Sequence, residues 1–163
     1  MSDPVASRPH MPGYGTETSN NGLIPWAEAE QRLIASTNYW VATVSADGVP
    51  HLMPVWGVWH GGMLWFSSGG RSRKVRNIAA APRCTISIED ALSPVILSGV
   101  ATITADRADI RTFVEVANAK YEGGYYSEEF LDPATNATVR LAPEWAFALR
   151  HDDFSGSPTR YTF

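Results

Sequence analysis

Residues 39–67 have the sequence YWVATVSADGVPHLMPVWGVWHGGMLWFS, which predicts three consecutive β-strands joined by tight turns. The strands are expected at 39–44, 49–59 and 63–67, and the turns at Asp47-Gly48 and Gly61-Gly62. Asp-Gly between two β-rich runs is a strong hairpin signal. Pro50 and Pro54 restrict the second strand to an edge, a strand start or a bulge, because proline has no N–H for the ladder. Strands joined by hairpins are antiparallel, which argues against a doubly wound parallel sheet.

The rest of the chain adds further strands and three short helices to this unit. Strands are predicted at 83–89, where apolar and polar residues alternate, at 94–104 with a bulge or close approach at Gly99, and at 144–149. The helices are expected to run from Pro25 to about Ser36, onward from an N-cap at Ser72, and from an N-cap at Asp106 to about Lys120. Their predicted buried stripes are Trp26, Ala29, Leu33 and Ile34, then Val75, Ile78 and Ala79, then Ile110, Phe113, Val114 and Ala117. About six strands in meander order indicate a mainly β fold, an antiparallel barrel.

Three segments lack such patterns. Residues 1–22 are rich in Pro, Gly, Ser, Thr and Asn, and they predict a flexible tail, either disordered or loosely docked, before a single domain at 23–163. Residues 121–136 are expected to form a loop rich in Gly, Tyr and Glu. Residues 155–163 predict an irregular segment that contains two aromatic residues.

Composition and charge argue against several classes of function. The 163 residues carry a net charge of −4, which argues against nucleic-acid binding, where a basic face is expected. No apolar run reaches the roughly 18 residues of a membrane span. The single Cys84 and the lack of a secretory signal pattern predict a cytoplasmic protein. The four histidines, at positions 10, 51, 60 and 151, show no metal-ligand spacing, so no metal site is predicted.

The segment SSGGRSRKVRNI at 67–78 is the main candidate for a functional site. It begins the second helix and carries four of the chain's 13 basic residues, Arg71, Arg73, Lys74 and Arg76. Cations are unfavourable at a helix N-terminus, which already carries partial positive charge, unless an anion binds there. Free backbone N–H groups, flexible glycines and converging basic side chains would form a phosphate cradle. The alternative is a solvated basic turn in which Lys74 is an exposed helix charge.

Three groups of motifs carry a resemblance to a known family. They are Ala42-Thr43-Val44 with Asp47-Gly48-Val49-Pro50, Lys74-Val75-Arg76-Asn77-Ile78 with Pro82-Arg83, and the ending Gly156-Ser157-Pro158-Thr159-Arg160-Tyr161. In this order and spacing they resemble the pyridoxamine 5′-phosphate oxidase-like split-barrel flavoproteins, in particular the flavin/deazaflavin oxidoreductase branch. The resemblance extends over residues from about 23 to 163.

This resemblance implies an antiparallel six-stranded split β-barrel that forms a homodimer, with FMN or coenzyme F420 in a groove at the interface. The basic segment of such proteins grips the cofactor phosphate, which corresponds here to Arg71, Ser72, Arg73 and Lys74. The strands beside the cofactor ring would supply His51, Met53, Pro54 and Val55, together with Ser67 and Ser68. Arg160 and Tyr161 would approach from the partner subunit. The chain lacks an ending of the Arg-x-His type, which argues against pyridoxamine phosphate oxidation itself.

The leading functional hypothesis is an F420-dependent oxidoreductase that reduces a small unsaturated organic substrate by hydride transfer. An FMN-dependent oxidoreductase of the same fold and a non-catalytic flavin or deazaflavin carrier are the alternatives. Since the cofactor performs the hydride chemistry, the protein needs to supply little beyond a proton, from His51, Tyr126 or solvent. Trp56 and Trp59 lie three apart on a strand and face opposite sides, so one of them could line the substrate pocket. Tyr125 and Tyr126 are candidates for a lid over it.

Overall fold

Strands dominate residues 3–163, the part of the chain that the computed structural model describes. The strands are β1 (Val5–Ser7), β2 (Asn38–Val44), β3 (Pro50–His60), β4 (Met63–Gly69), β5 (Arg83–Ile88), β6 (Val95–Thr104), β7 (Asn136–Ala148) and β8 (Thr159–Thr162). The helices are α1 (Trp26–Ala35), α2 (Arg73–Ala80) and α3 (Arg107–Lys120), with a 3-10 turn at His151–Asp153. The predicted N-caps of the second and third helices, Ser72 and Asp106, are confirmed.

Six of the strands close into an antiparallel barrel. Their order is β6-β5-β2-β3-β4-β7, and β7 pairs back onto β6 over ten residue pairs, from Val95 opposite Ala148 to Thr104 opposite Thr138. The end of β7 also pairs with β8, and β8 pairs with β1, so two short strands extend the sheet beyond the barrel. The predicted six-stranded antiparallel barrel is therefore confirmed.

Alternate strand residues fill the barrel and α1 and α2 pack against them. Tyr39 and Val41 of β2 and Phe66 of β4 are fully buried in this core, where they meet Leu33 of α1 and Ile78 of α2. A second apolar cluster lies on the outer side of the barrel, where α3 covers the β3–β4 hairpin. No helix among residues 3–163 has the length and hydrophobicity needed to cross a lipid bilayer.

The barrel is open along part of one seam, which we call the β3–β4 groove. The two strands pair only at their hairpin end, from Gly57 opposite Phe66 to His60 opposite Met63. Beyond that point residues 50–56 of β3 pair only with β2, and residues 67–69 of β4 pair only with β7. Pro50 and Pro54 thus lie where β3 is an edge, which confirms the placement predicted from their missing N–H groups.

Two glycines explain how the backbone turns and closes. Gly48 adopts a φ of +82° in the β2–β3 turn, a conformation that side chains rarely tolerate, and the predicted Asp47-Gly48 hairpin is confirmed. Gly99 lies at the register shift between β6 and β7, where an added Cβ would lie 2.0 Å from the Ala142 carbonyl oxygen. The predicted close approach at Gly99 is therefore confirmed.

Some predicted faces and boundaries are wrong. Ile34 is 45% exposed, and Ala79 is also exposed, so neither belongs to its helix's buried stripe. Asn77 is buried instead, because its amide donates a 3.0 Å hydrogen bond to the Thr43 hydroxyl and braces α2 against β2. The last long strand begins at Asn136 rather than at residue 144.

Both chain ends carry strands that the sequence did not predict. Residues 155–163, expected to be irregular, contain β8, and β1 forms within residues 1–22. The Arg8 guanidinium donates to the carbonyl oxygens of Gly156 and Pro158, at 2.8 Å each, and to those of Ser19 and Asn21. These contacts dock the N-terminal segment on β8 in the structure, while its flexibility in solution stays a prediction.

Candidate cofactor-binding site

A small polar cluster marks the start of α2, at one end of the β3–β4 groove. The Ser72 hydroxyl caps the helix by accepting from the Val75 N–H at 3.4 Å. The Ser68 hydroxyl donates to Ser72 Oγ and accepts from Lys74 Nζ, both at 3.1 Å. Ser68, Ser72 and Lys74 therefore converge on one point, and we call them the Ser–Lys cluster. The sequence predicts Ser72 and Lys74 together but Ser68 beside the cofactor ring.

The Ser–Lys cluster carries positive charge that the protein does not neutralise. The first turn of α2 has no acidic residue, and the N–H groups of Arg73 and Lys74 have no acceptor within the helix. Within residues 3–163, Arg71, Arg73 and Lys74 form no ion pair with a carboxylate. Asp47 is near enough to Arg73 that the guanidinium adds, after the Ser45 hydroxyl, to the lowering of the Asp47 pKa. Partial burial lowers the pKa of Lys74, because the ammonium loses hydration without gaining a counter-ion. This arrangement favours binding of an anion.

The inner wall of the groove comes from β3. His51, Met53 and Val55 lie opposite inward-facing residues of β2, so their side chains share the barrel side of the strand. Met53 is exposed in the groove, whereas Val55 is buried in the core. Pro54 lies on the outer face, which separates its side chain from those of the other three predicted residues.

The outer wall comes from β4 and the loop after α3. Ser67 lies near the Tyr126 phenol, and Tyr126 packs edge-on against Phe113 at 5.3 Å between ring centroids. Burial raises the pKa of Tyr126, and the Ser67 hydroxyl partly offsets that rise. The phenol therefore stays protonated at neutral pH and can donate a proton. The Asn118 side chain holds the loop by pairing with both the N–H and the carbonyl of Tyr126.

Aromatic residues continue this outer wall. Trp56 stacks on Tyr121 with a ring separation of 4.9 Å and an angle of 9°, and Tyr125 meets it edge-on at 5.5 Å. Trp59 points elsewhere, where its indole N–H donates to Glu30 at 2.8 Å. The two tryptophans thus occupy different environments, as their spacing predicted, and Trp56 is the one beside the groove.

Sequence reasoning missed Lys120 and Tyr121, which fix the point where the groove opens. The Tyr121 hydroxyl lies 2.8 Å from both the nitrogen and the oxygen of Gly57, the last residue of β3 before the groove. Lys120 donates to the Tyr39 hydroxyl at 2.7 Å and to the Gly57 carbonyl at 3.1 Å. Burial lowers the pKa of Lys120 to about 8. No local pattern could have shown these contacts, which join residues more than 60 positions apart.

Arg160 and Tyr161 do not join this site within one chain. Arg160 pairs with Phe147 near one end of β7, whereas Ser68 pairs with Ala137 near the other end. Ten residues of strand separate those two positions, roughly 30 Å. Tyr161 is fully buried and donates to the Ile24 carbonyl, so the expectation that it approaches a partner subunit is wrong. No cluster of metal-binding side chains is found among residues 3–163.

A family model described as pyridoxamine 5′-phosphate oxidase matches residues 26–150, most of the chain. The chain belongs to the pyridoxamine 5′-phosphate oxidase family. The matched residues include every element of the six-stranded barrel, both walls of the groove and the Ser–Lys cluster. A search of curated proteins finds no match.

Solved structures share the fold of this family member. A conserved hypothetical protein from Mycobacterium tuberculosis is 22% identical with a TM-score of 0.72, over 83% of this chain and 91% of that chain. An F420 reductase is 27% identical with a TM-score of 0.57, over 70% of this chain and 91% of that chain. HutZ, a heme storage protein from Vibrio cholerae, is 17% identical with a TM-score of 0.62, over 72% of this chain and 89% of that chain.

Folds of the pyridoxamine 5′-phosphate oxidase family bind flavins, and the residues of this groove fit such a cofactor. Among residues 3–163, two buried side-chain atoms have no hydrogen-bond partner, His51 Nδ1 and Thr138 Oγ1. His51 lies on the inner wall, and Thr138 lies directly across from Ser67 of the outer wall. Unpaired buried polar atoms cost free energy unless a ligand satisfies them. Thr138 faces the outer side of β7, whereas His51 faces the barrel side of β3. Together with Lys74, which forms no ion pair among residues 3–163, the unpaired His51 Nδ1 matches a ligand with a polar ring edge and an anionic end.

Proposed function

We propose that this protein is an F420-dependent oxidoreductase that reduces a small unsaturated organic substrate by hydride transfer. The observation that carries the proposal is the concentration of unpaired cations, Arg71, Arg73 and Lys74, at the open end of the groove. The likeness to an F420 reductase at 27% identity supports the same cofactor.

The number of these cations favours F420, because its phosphodiester and its tail carboxylates offer each of them a partner. Lys74, Ser72 and the first N–H groups of α2 would hold the phosphodiester, since they already converge at about 3 Å. Arg71 and Arg73 are exposed beside that point and would meet carboxylates of the lactyl-oligoglutamate tail. FMN ends in a single phosphate and offers the two arginines no further partner.

The groove walls would orient the cofactor ring and deliver a proton. The deazaflavin ring, when bound and reduced, supplies the hydride. Met53 on the barrel side of β3 and Trp56 on its outer side border the groove, and both would limit the access of water to a bound ring. His51 on one wall and the protonated Tyr126 phenol on the other are the side chains available to protonate the reduced product.

FMN is the second candidate because the Ser–Lys cluster is compact. Two hydroxyls, one ammonium and the free N–H groups of a helix N-terminus suffice for one terminal phosphate. A carrier that binds either cofactor without turnover needs the same groove, and a heme storage protein shares this fold. The F420-dependent enzyme, the FMN-dependent enzyme and the carrier differ in cofactor preference and in turnover. Measurement of these two properties therefore distinguishes them.

The protein is proposed to act as a homodimer, because a partly exposed and mainly apolar face runs across neighbouring strands from the groove. The residues that pair across neighbouring strands on this face are Pro54, Trp40, Ser87, Ile96, Phe147 and Arg160. Trp40 and Leu52 on the same face are 42% and 57% exposed, and contiguous exposed apolar surface of this kind is typical of interfaces.

Two-fold symmetry would make this face complete the site. The row begins at Pro54 on the edge of the groove and ends at Arg160, so a two-fold axis near its middle sets one end against the other. The partner subunit's Arg160 would then lie beside the β3–β4 groove. Arg160 is exposed and free of carboxylate partners within residues 3–163, as such a role requires.

Light scattering tests the dimer. The wild-type protein at micromolar concentration is expected at twice the chain mass, and Leu52→Glu should yield monomer because it places a charge in the apolar face. Ile34→Glu is the matched control, since Ile34 is an exposed residue of α1, a helix that contributes no residue to this face. A monomeric wild type, or equal masses for the two variants, contradicts the proposal.

Titration of apo-protein with F420 and with FMN, followed by single-turnover assays with each reduced cofactor, tests the function. F420 should bind more tightly, and the double variant Arg71→Gln/Arg73→Gln should lose affinity for F420 while its affinity for FMN stays nearly unchanged. Each exposed Arg–carboxylate contact contributes about 0–1 kcal/mol, so the double variant should lose up to about 30-fold. Tighter binding of FMN with turnover by reduced FMN alone would establish the second candidate. Binding without turnover of any unsaturated substrate would favour the carrier.

A further inference from the structure

A second cleft lies at the closed end of the β3–β4 hairpin, away from the groove. It has a volume of about 500 Å³ and lies between α1, the β3–β4 turn and the C-terminal residue of the chain. Trp59 in this cleft is six residues along β3 from Met53 in the groove, roughly 20 Å. Neither the fold nor the proposed hydride chemistry uses this cleft.

Three aromatic rings form one side of the cleft. Trp26 meets Phe163 at a centroid distance of 5.0 Å and an angle of 90°, and it meets Trp59 at 5.9 Å and 66°. These edge-to-face contacts make Trp26 a buried support for the rings of Trp59 and Phe163, whose outer surfaces border the open space. The face of such a ring attracts a cation placed over it. Phe163 is 46% exposed, so part of its ring surface is open to a ligand.

Carboxylates supply the other side of the cleft. Glu30 and Asp3 line it, and within residues 3–163 neither forms an ion pair with a basic side chain. Glu30 Oε1 accepts the indole N–H of Trp59 at 2.8 Å, which fixes the ring and leaves Oε2 available. The cleft therefore combines negative charge with π surface, and no Lys or Arg lines it.

We infer that this cleft binds a small organic cation, a methylated ammonium compound of the choline type. A methylated ammonium is large, weakly hydrated and permanently charged, so it gains from ring faces and carboxylates together. An inorganic cation would need more oxygen ligands than Glu30 and Asp3 provide. An anion or a neutral apolar molecule would leave the two carboxylates uncompensated. The inference stands independently of the cofactor and of the reaction proposed above.

Isothermal titration with choline chloride at pH 8 tests this inference. Choline is expected to bind in a one-to-one ratio. The neutral isostere 3,3-dimethyl-1-butanol, which has the same shape without the charge, should bind at least about tenfold more weakly. Equal binding of the two compounds, or no binding of choline, overturns the inference.

Two variants locate the binding in the cleft. Glu30→Gln retains an acceptor for the Trp59 N–H and removes only the charge, and it should weaken choline binding by about threefold to tenfold. Phe163→Leu keeps an apolar side chain and removes one ring face, and it should weaken binding by a similar factor of about three. Glu115→Gln, an exposed residue of α3 outside the cleft, is the matched control and should bind like the wild type. Unchanged affinity in Glu30→Gln contradicts the assignment, and circular dichroism checks that each variant is folded.

Discussion

The first turns of α2 and α3 place different charges at the positive N-terminal end of a helix. At α3 the Asp106 carboxylate accepts from the N–H groups of Ala108 and Asp109, at 2.7 and 3.2 Å. Asp109 adds a second negative charge in that turn and pairs with Arg140 at 2.9 Å. At α2 the cap is the neutral Ser72, and the next residues are Arg73 and Lys74.

Under the proposed function, this difference distinguishes a helix N-terminus that only stabilises the fold from one that binds a ligand. The α3 end is neutralised within the chain, so it stabilises the fold whatever the solution contains. The α2 end adds cations to the positive pole of a helix, which costs stability until an anion arrives from outside. Departures from favourable local electrostatics tend to occur at functional sites, and α2 fits that rule.

Replacement of the neutral α2 cap by an acidic cap like that of α3 should have the largest effect on cofactor affinity. In Ser72→Asp the chain's own carboxylate would cap α2 and take the place of the ligand phosphate. Cofactor affinity should fall by at least about 100-fold, because roughly 3 kcal/mol of charge-assisted hydrogen bonding is lost. The free energy of unfolding without ligand should rise by about 0.3–1 kcal/mol. Fluorescence titration and urea denaturation measure the two quantities.

A solvated basic turn would give a different result for Ser72→Asp. The variant would gain stability, as any better-capped helix does, but it would bind cofactor as tightly as the wild type. Inorganic phosphate provides a cofactor-free check, since it should raise the melting temperature of the wild type and not of the variant.

Removal of one cation should have the next largest effect. Lys74→Met keeps the partly buried stem and removes the charge, so cofactor affinity should fall by about 10- to 150-fold, equivalent to about 1.5–3 kcal/mol. Arg107→Met is the matched control, because Arg107 is an exposed cation in the first turn of α3. Equal affinities in these two variants would remove Lys74 from the phosphate site. Lys120 is unsuitable as a control, since it contacts Gly57, the residue of β3 at which the groove begins.

The contrast between the two helix ends is visible in the sequence because each signal is local. The Ser–Lys cluster spans seven residues, and both N-caps precede apolar helical stripes, so spacing alone brings the groups together. The contacts of Tyr121 and Lys120 with Gly57 span more than 60 residues, and they depend on how α3 packs across β3. Local patterns therefore brought Ser72 and Lys74 together and missed Lys120 and Tyr121, which contact Gly57 where the groove begins.

The same distinction explains the errors in the strands. The Asp47-Gly48 and Gly61-Gly62 turns fix β2, β3 and β4 through adjacent residues, and these strands were predicted closely. The first half of β7 follows a polar loop, and its conformation is imposed by β4 on one side and β6 on the other. β8 has four residues and gains its order from β7 and from Arg8. Strands selected by distant partners leave little local signal.

Loss of the α3 cap should lower the free energy of unfolding and leave cofactor affinity unchanged. Asp106→Ala removes the side chain that accepts from two N–H groups, so the free energy of unfolding should fall by about 1 kcal/mol. Cofactor affinity should stay within about twofold of the wild type, since the change lies at the N-terminus of α3, away from the Ser–Lys cluster. Urea denaturation and the same titration test both statements. A large loss of cofactor affinity would show that the N-termini of α2 and α3 are coupled, and it would contradict a purely structural role for the α3 cap.

The smallest expected effect concerns the other end of α3, where Lys120 supplies a cation to the negative pole of the helix. Its folded-state pKa is about 8, below the value of 10.5 for an unperturbed lysine, because burial removes water from the ammonium. Between about pH 8 and pH 10.5 the unfolded chain therefore holds a proton on Lys120 that the folded chain has released, so the contribution of Lys120 to the free energy of unfolding rises with pH in that window. Lys120→Met lacks this contribution, so its change in the free energy of unfolding from pH 7 to pH 9 should be less favourable than the change in Arg107→Met, whose folded form keeps Lys120. Ionisation of cysteine and tyrosine in the unfolded state affects both variants alike and cancels in the comparison. Identical pH dependence in the two variants would mean that Lys120 retains its full hydration, and that its contacts with Tyr39 and Gly57 form without the cost of burying a charge.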